Sequence, residues 1–195
     1  MKKYSLLLLI VSFICFSFST LSNYNISPND SSITWEGSKL GGSHTGLIMV
    51  KEGIILTENQ KVTGGKIHID MNSIFCTDIE ERETAQKLEA HLKSADFFDV
   101  EKFPLARLEI LNVEAKGEEN YEVKANLTIK NVTKQISFPA KIKMQNNQVI
   151  ADLELTIDRT EYDVTYMAES VTGQIKDKFI YNNFDLTIHL VALKK

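Results

Sequence analysis

The side chains that could do chemistry are few, and their spacing fits no known reaction centre. Histidines stand at positions 44, 68, 91 and 189, and no two of them have the spacing at which protein ligands hold a metal ion. The chain also lacks the motifs of metalloproteases, disulfide oxidoreductases, serine hydrolases, P-loop proteins and Rossmann dinucleotide-binding proteins. The sequence therefore predicts no catalytic residue, no metal site and no resident cofactor.

Cysteine chemistry is limited in the same way. Cys15 lies in an apolar N-terminal segment that we expect to be removed, which leaves Cys76 without an intramolecular disulfide partner. We expect Cys76 to be a buried, unreactive thiol. A catalytic thiol with His68 or His91 as its base stays open as the alternative, since these histidines are near it along the chain.

Three basic residues have the chemistry of an anion-binding site. His44 stands within the segment GGSHTG, where glycines allow the backbone to approach an anion closely. Arg107 comes shortly after Pro104, and Arg159 follows Asp158 at the end of an alternating segment. A guanidinium group suits phosphate because it is planar and permanently charged. The alternative is a histidine bonded to backbone and arginines paired with neighbouring carboxylates.

Long alternating segments predict that β-strands position these residues. Apolar side chains recur at every second position through residues 121–129, 136–144, 149–157 and 184–192. This period is typical of antiparallel strands with one buried face. Turn-forming residues separate the segments at short intervals, which indicates a sandwich or a barrel. Strands this long favour an up-and-down barrel, whose closure removes exposed strand edges.

Residues 78–92 depart from the alternating pattern and predict one helix. The apolar side chains of this segment form a single narrow stripe at Ile79, Ala85, Leu88 and Leu92. Thr77 and Glu80 have the spacing of a capping box at the start of the helix. The pattern predicts a surface helix that covers the barrel, with solvated carboxylates, among them Glu89, on its other faces.

The first 22 residues have the layout of a secretory signal peptide. Lys2 and Lys3 precede an apolar run at residues 5–18, and small residues follow it. The run is about 14 residues long, short of the roughly 20 that cross a bilayer. Cleavage after Ser19 or Ser22 is therefore favoured over a membrane span or a lipid anchor at Cys15. Residues 23–195 would then form one domain in the periplasm or outside a bacterial cell.

The charge balance excludes some classes of partner. Without Lys2 and Lys3, 20 basic residues remain against 26 acidic ones, a net charge of −6 with histidine neutral. Nucleic acid and anionic membrane surfaces are poor partners for such a domain. No later apolar run approaches the length of a membrane span, so we expect no stable membrane anchor.

Four stretches of the chain carry a resemblance to a known family. They are ITWEGSKLGGSHTGLI at residues 33–48, HLKSADFFDVEKFP at 91–104, ANLTIKNVTKQISFPAKI at 125–142 and LTIDRTEYDVTY at 155–166. In this order they resemble the YceI-like family, periplasmic lipid-binding proteins also described as polyisoprenoid-binding. Asn131 and Asp163 stand where the family pattern has glycine, and both residue types tolerate turn conformations.

The resemblance implies a fold and a ligand. The fold would be an extended, lipocalin-like antiparallel β-barrel of eight strands, and the ligand an isoprenoid or another amphiphilic lipid held inside it. We expect the lining residues to be Trp35, Leu127, Ile129, Ile136, Phe138, Leu153, Leu155, Phe184 and Ile188. His44, Arg107 and Arg159 would then meet the head group. The resemblance implies no established catalysis.

Several alternatives stay open at this point. Alternation alone favours a barrel filled by its own side chains, because an eight-stranded barrel is only just wide enough for a ligand. The resemblance favours a hollow barrel instead. A ligand-free structural or interaction module would have the same pattern. An enzyme that acts on a lipid, with His44 as its base, is a third interpretation. The sequence leaves a homodimer open.

Overall fold

The computed structural model describes residues 19–145, 147–168 and 179–195, and within these ranges the chain forms nine strands and one α-helix. The elements are β1 Leu21–Ile26, β2 Ser32–Lys39, β3 Gly42–Glu58, β4 Lys61–Cys76, α1 Arg82–Lys93, β5 Leu105–Gly117, β6 Asn120–Ile129, β7 Val132–Gln145, β8 Gln148–Asp158 and β9 Ile180–Lys194. Most of the predicted signal peptide lies outside the described residues. α1 is neither long nor apolar enough to pass through a bilayer, and the described ranges contain no other helix that is.

The nine strands fill eight positions of a closed antiparallel barrel. Neighbouring strands follow the order β3, β2, β9, β8, β7, β6, β5 and β4, and β4 pairs with β3 to close the ring. β1 and β2 share one position, because both lie between β3 and β9. β2 pairs with the first half of β3, and β1 pairs with the second half. The prediction of an eight-stranded antiparallel barrel is therefore confirmed, with one position divided into two strands.

The division between β1 and β2 has a local cause. Pro28 lies between the two strands and has no N–H to donate to a ladder. Ser27 and Asp30 close a turn around it, since the Asp30 N–H donates to the Ser27 carbonyl at 3.3 Å and the Ser27 hydroxyl donates to Asp30 at 2.6 Å. The chain leaves the ladder for this turn and then re-enters it in the same direction.

Tight turns hold the later strands in register. Lys130 and Asn131 have φ angles of 48° and 65°, and Ile129 pairs directly with Val132. Two consecutive left-handed residues are typical of the two-residue hairpin whose twist matches that of the strands. Asp163 has a φ of 58°. The two positions where the family pattern has glycine therefore do adopt turn conformations that glycine favours.

The two ends of the barrel differ. Near the turns that join β3 to β4, β5 to β6 and β7 to β8, the interior is packed with buried side chains; we call this the packed end. Its core includes Tyr24, Ile26, Ile55, Val62, Val123, Ala140, Ile142, Val149 and Ala192. The opposite end, which we call the helix end, carries α1 and the segment that follows it. The filled interior that alternation alone favours is thus found at one end only.

The helix begins later than the sequence pattern indicates. Glu81 occupies the N-cap position and makes no side-chain capping bond, so the predicted capping box is wrong. The Thr77 hydroxyl donates instead to the carbonyl of Thr45 on β3, at 3.3 Å. The predicted inner stripe is present from Ala85 onward, since Ala85 is fully buried and Leu88 faces the barrel interior.

Candidate functional site

An apolar cavity of about 350 Å³ occupies the helix end of the barrel; we call it the main cavity. Inward-facing side chains of seven strands form its wall, and Leu88, Leu92, Phe97 and Phe98 cover it. The wall includes Lys39 and Tyr181, both of which are exposed, so the cavity reaches the protein surface. A largely apolar, concave space of this size is typical of a small-molecule site.

Six of the nine predicted lining residues lie on the wall of the main cavity. They are Trp35, Leu127, Ile129, Leu155, Phe184 and Ile188. Phe138 and Leu153 lie deeper, on the wall of a second cavity of about 70 Å³ towards the packed end. Ile136 lines neither cavity and packs partly buried between the two core clusters. Alternation identifies the inward face of a strand but not the depth of each residue along the barrel.

Trp35 is held at the cavity wall by a close approach of two strands. Its indole N–H donates to the carbonyl of Leu47 at 3.2 Å, and its ring lies directly over Gly46. A Cβ at Gly46 would stand 2.0 Å from the carbonyl oxygen of Phe75 and 2.4 Å from the Trp35 ring. Glycine is therefore required there for the indole to reach its position.

Gly37 contributes to the space in the main cavity. It follows Ile33 and Trp35 in the inward phase of β2, and it pairs with the inward-facing Phe184 of β9. Gly37 lines the main cavity, and a Cβ there would meet no atom within 4 Å. The missing side chain thus leaves open a volume that a larger residue would occupy.

Aromatic side chains from α1 and the following segment cover the main cavity. His91 makes edge contacts with Phe97 and Tyr166, at centroid distances of 4.9 and 4.8 Å. Phe98 contacts Phe184 on β9 at 6.3 Å. His91 lines the main cavity, which the sequence did not predict; its position next to Leu92 on the apolar stripe was the available signal.

An ion pair between the exposed Arg82 and the buried Glu89 fixes α1 to the end of β4. Glu89 is only 6% exposed; it accepts two hydrogen bonds from Arg82, both at 2.7 Å, and one from the backbone N–H of Cys76 at 2.8 Å. The Arg82 hydrogen bonds lower the pKa of Glu89 from its ordinary range. Arg82 also stacks on the ring of Phe75, at 4.5 Å. The prediction that Glu89 is solvated is therefore wrong, because the helix turns this carboxylate towards β4.

A carboxylate separates the thiol of Cys76 from the imidazole of His44. The Cys76 Sγ lies 3.1 Å from Asp78 Oδ1, and His44 Nδ1 lies 3.0 Å from Asp78 Oδ2. Burial raises the pKa of the Cys76 thiol, and the hydrogen bond to Asp78 raises it further. Burial alone would raise the pKa of Asp78, but the hydrogen bonds from Cys76 and His44 outweigh it and lower that pKa. Cys76 is buried, as predicted, and the arrangement favours the protonated thiol over the nucleophilic thiolate.

Arg159 is a buried cation on the wall of an apolar cavity. It is 4% exposed and lines the main cavity. It donates to the carbonyls of Tyr181, Val164 and Ile180 at 3.1, 2.7 and 3.0 Å. Burial lowers the pKa of Arg159, and the charge of Asp158 opposes this shift.

The partners of Arg159 leave part of its bonding capacity for a ligand. An arginine has five N–H donors, and in the described part of the chain three of them meet backbone carbonyls. Within the same residues no carboxylate lies at ion-pair distance from Arg159. Asp158 instead accepts from the Thr160 N–H at 2.8 Å.

The other predicted contacts do not all reach the cavity. His44 lies at its edge, beside Asp78. Arg107 is exposed on the outer face of β5, because Ala106 and Leu108 take the inward positions, and it lies away from the main cavity. His68 pairs with Glu52. In the described ranges no group of three or more His, Cys, Asp or Glu side chains could hold a metal ion.

Known families and solved structures share the domain type and the fold of this chain. A model of the YceI-like domain matches residues 24–192. A UPF0312 protein of Pseudomonas putida strain W619 is 31% identical over 110 residues, which cover 55% of this chain and 54% of that protein. The chain thus spans about half the length of the curated relatives it matches.

Two solved structures share the fold. BcnA of Burkholderia cenocepacia superposes with a TM-score of 0.66 at 18% identity, over 86% of this chain and 99% of that one. A polyisoprenoid binding domain from Saccharophagus degradans, implicated in plant cell wall breakdown, superposes with a TM-score of 0.68 at 15% identity, over 90% of this chain and all of that one. At these identities the likeness concerns the fold alone.

Proposed function

The chain belongs to the YceI-like domain family, and on this basis we propose that it binds an isoprenoid or another amphiphilic lipid inside its barrel. The observation that carries the proposal is the main cavity, which is apolar, holds about 350 Å³ and reaches the surface at the helix end. The solved polyisoprenoid binding domain with the same fold supports the choice of an isoprenoid.

The energetics of burial favour a long apolar tail. Each buried CH₂ group is worth about 0.8 kcal/mol, so a tail of about 20 carbons would gain roughly 16 kcal/mol before costs. Ordering the tail and losing translational freedom take back several kcal/mol of that gain. Apolar contact alone therefore suffices for tight binding, and polar groups serve to orient the ligand.

The polar groups of the site lie at the helix end. Arg159 faces the main cavity, and within the described residues only three of its five N–H donors meet backbone carbonyls. His44 lies at the edge of the same cavity. We place the head group of the lipid near Arg159 and its tail along the barrel towards the packed end. A phosphate, a hydroxyl or a quinone carbonyl would each accept a hydrogen bond from a guanidinium.

The biological role we propose is to carry, store or sequester the lipid, without catalysis, in the periplasm or outside the cell. The signal-like N-terminal segment supports this location. The surroundings of Cys76 support a binding protein, since burial and the Asp78 hydrogen bond raise the pKa of this thiol, whereas a nucleophilic cysteine is activated by an adjacent base or a lowered pKa.

Native mass spectrometry of the full chain purified from a bacterial host tests the proposal. We expect a bound species that dissociates into protein and a lipid mass, and, after extraction of that lipid, uptake of added geranylgeraniol. Protein that leaves the host without lipid and takes up none of the added alcohol would overturn the proposal in favour of a ligand-free module. Circular dichroism before and after extraction shows that the barrel stays folded.

A further inference from the structure

The second cavity continues the main cavity towards the packed end, and we call it the end cavity. It holds about 70 Å³ and is also lined by apolar side chains. Five side chains line both cavities: Ile67, Leu108, Leu155, Ile188 and Leu190. We call these five the partition residues, because they stand where one space gives way to the other.

Three alanines create the space of the end cavity. Ala140 on β7, Ala151 on β8 and Ala192 on β9 all line it. Ala151 pairs in register with Leu190 of β9 and with Ile142 of β7, so its short side chain faces two large ones. Large apolar side chains of the packed end, among them Ile55, Ile142 and Val149, form the rest of the lining of the end cavity.

Leu155 lies on a stretch of β8 that has a paired neighbour strand on one side only. β8 pairs with β9 over its whole length. Its pairing with β7, as far as the structure describes both strands, ends at Lys141 opposite Asp152. Pro139, two residues before Lys141, has no N–H to extend that ladder. At Leu155, β8 is therefore bonded on one side only, and its side chain is half-buried.

We propose that the partition residues, and Leu155 above all, set the length of isoprenoid tail that the barrel can bury. This inference rests on the proposed function. A tail that enters at the helix end fills the main cavity until it meets the partition residues. A longer tail gains further burial only by displacing Leu155 and occupying the end cavity. Affinity should therefore rise with tail length, at about fourfold for each buried CH₂ group, and then level off.

Two matched Leu→Ala variants test this dependence on position. Leu155→Ala opens the partition, whereas Leu127→Ala removes the same atoms from the wall of the main cavity only. The probes are farnesol, geranylgeraniol and geranylfarnesol, which differ by one isoprene unit each, measured by native mass spectrometry in competition. In wild type, one of these alcohols should be the first whose affinity no longer exceeds that of the next shorter one. We expect Leu155→Ala to raise the affinity for that alcohol by roughly tenfold relative to wild type. Leu127→Ala should leave the position of the plateau unchanged.

A variant that fills the end cavity separates entry of the tail from general loosening of the barrel. Ala151→Leu occupies the end cavity, so the double variant with Leu155→Ala should lose the gain. The inference would be overturned if affinity levelled off at the same tail length in Leu155→Ala and in Leu127→Ala while wild type bound all three alcohols. The proposed function would still stand in that case. If Leu155→Ala does not fold, Leu155→Val keeps the test decisive: it removes one carbon from the partition, so it should still raise the affinity for the alcohol beyond the plateau, by less than Leu155→Ala would, and the absence of any rise would overturn the inference. Wild-type protein that binds no alcohol of any length would overturn both.

Discussion

Replacing Gly37 by leucine should weaken lipid binding while it stabilises the fold. A side chain at this position would extend into the main cavity, since Gly37 lines it and a Cβ there meets no atom within 4 Å. A glycine inside a strand also costs roughly 0.5–1 kcal/mol relative to alanine. The substitution therefore removes a backbone cost and occupies ligand space at the same time.

The size of the binding effect follows from the volume displaced. The leucine side chain has four carbons, and a ligand that yields that space loses the burial of about four CH₂-sized units, or about 3 kcal/mol. This corresponds to about a hundredfold weaker binding. The opposite signs of the two effects are informative, because a variant that merely damages the barrel would lose both stability and affinity.

The chain provides both a probe and a control for this experiment. Trp35 is the single tryptophan and lines the main cavity, so its fluorescence reports the entry of geranylgeraniol. Gly42→Leu is the matched control, because a Cβ at Gly42 also meets no atom within 4 Å but Gly42 lies exposed at the start of β3. Unchanged affinity in Gly37→Leu, with a raised midpoint of urea unfolding, would refute the assignment of the main cavity as the ligand site.

Three further substitutions address other parts of the site. Arg159→Gln should lower the preference for geranylgeranyl phosphate over geranylgeraniol by about tenfold, since hydrogen bonds to charged groups contribute about 1.5–3 kcal/mol; Arg159→Lys should retain more of that preference, and an unchanged ratio in Arg159→Gln would contradict the head-group assignment. Gly46→Ala should reduce the free energy of unfolding in urea by about 1–3 kcal/mol, because the new Cβ would stand 2.0 Å from the carbonyl oxygen of Phe75; an unaltered midpoint would show that the strands can separate freely there. The pKa of Glu89 is lowered in the fold from an ordinary value of 4.5, so the stabilisation it provides is present above that pH and is lost as the pH falls through the folded pKa. The Tm of the wild type should therefore fall more steeply below that pH than the Tm of Glu89→Gln, and parallel slopes would exclude this ion pair as the cause.

The strand architecture could be predicted from the sequence because alternation directly encodes which face of a strand is buried. The turn at Asn131 could be predicted for a similar reason, since the required backbone conformation depends on one or two residues. The division of the first strand position into β1 and β2 was missed, although Pro28 was the available signal. It was missed because the segment is too short for its period to be recognised.

The candidate site was predicted only in part. Whether a side chain lines a cavity depends on its depth along the barrel and on residues that are distant from it in the sequence. Leu127 and Phe138 have the same inward phase on adjacent strands, yet Leu127 lines the main cavity and Phe138 the end cavity. Their difference in depth follows from the register of the whole barrel. Gly37 carries no hydrophobic signal at all, so a pattern of apolar residues overlooks the position that opens the main cavity.

The charged residues were the hardest to place. Glu89 follows the pattern of a solvated helix face, and only its pairing with Arg82 and with the backbone of β4 explains its burial. Arg107 and Arg159 are chemically identical in the sequence. One lies outside because its neighbours face inward, and the other lies inside because three backbone carbonyls satisfy it there.

The positions of Arg159 and Leu155 make the two proposals about the ligand independent. Arg159 follows the last residue of β8 at the helix end, and Leu155 lies four residues earlier on the same strand, towards the packed end. Along a strand this separation is roughly 13 Å, beyond the distance at which mutational effects usually couple. A change at Arg159 should therefore alter the choice of head group at every tail length, and a change at Leu155 should alter the preferred tail length for every head group. A ligand bound in the reverse orientation would break this separation, because its polar end would then meet the apolar partition residues and its affinity would no longer depend on Arg159.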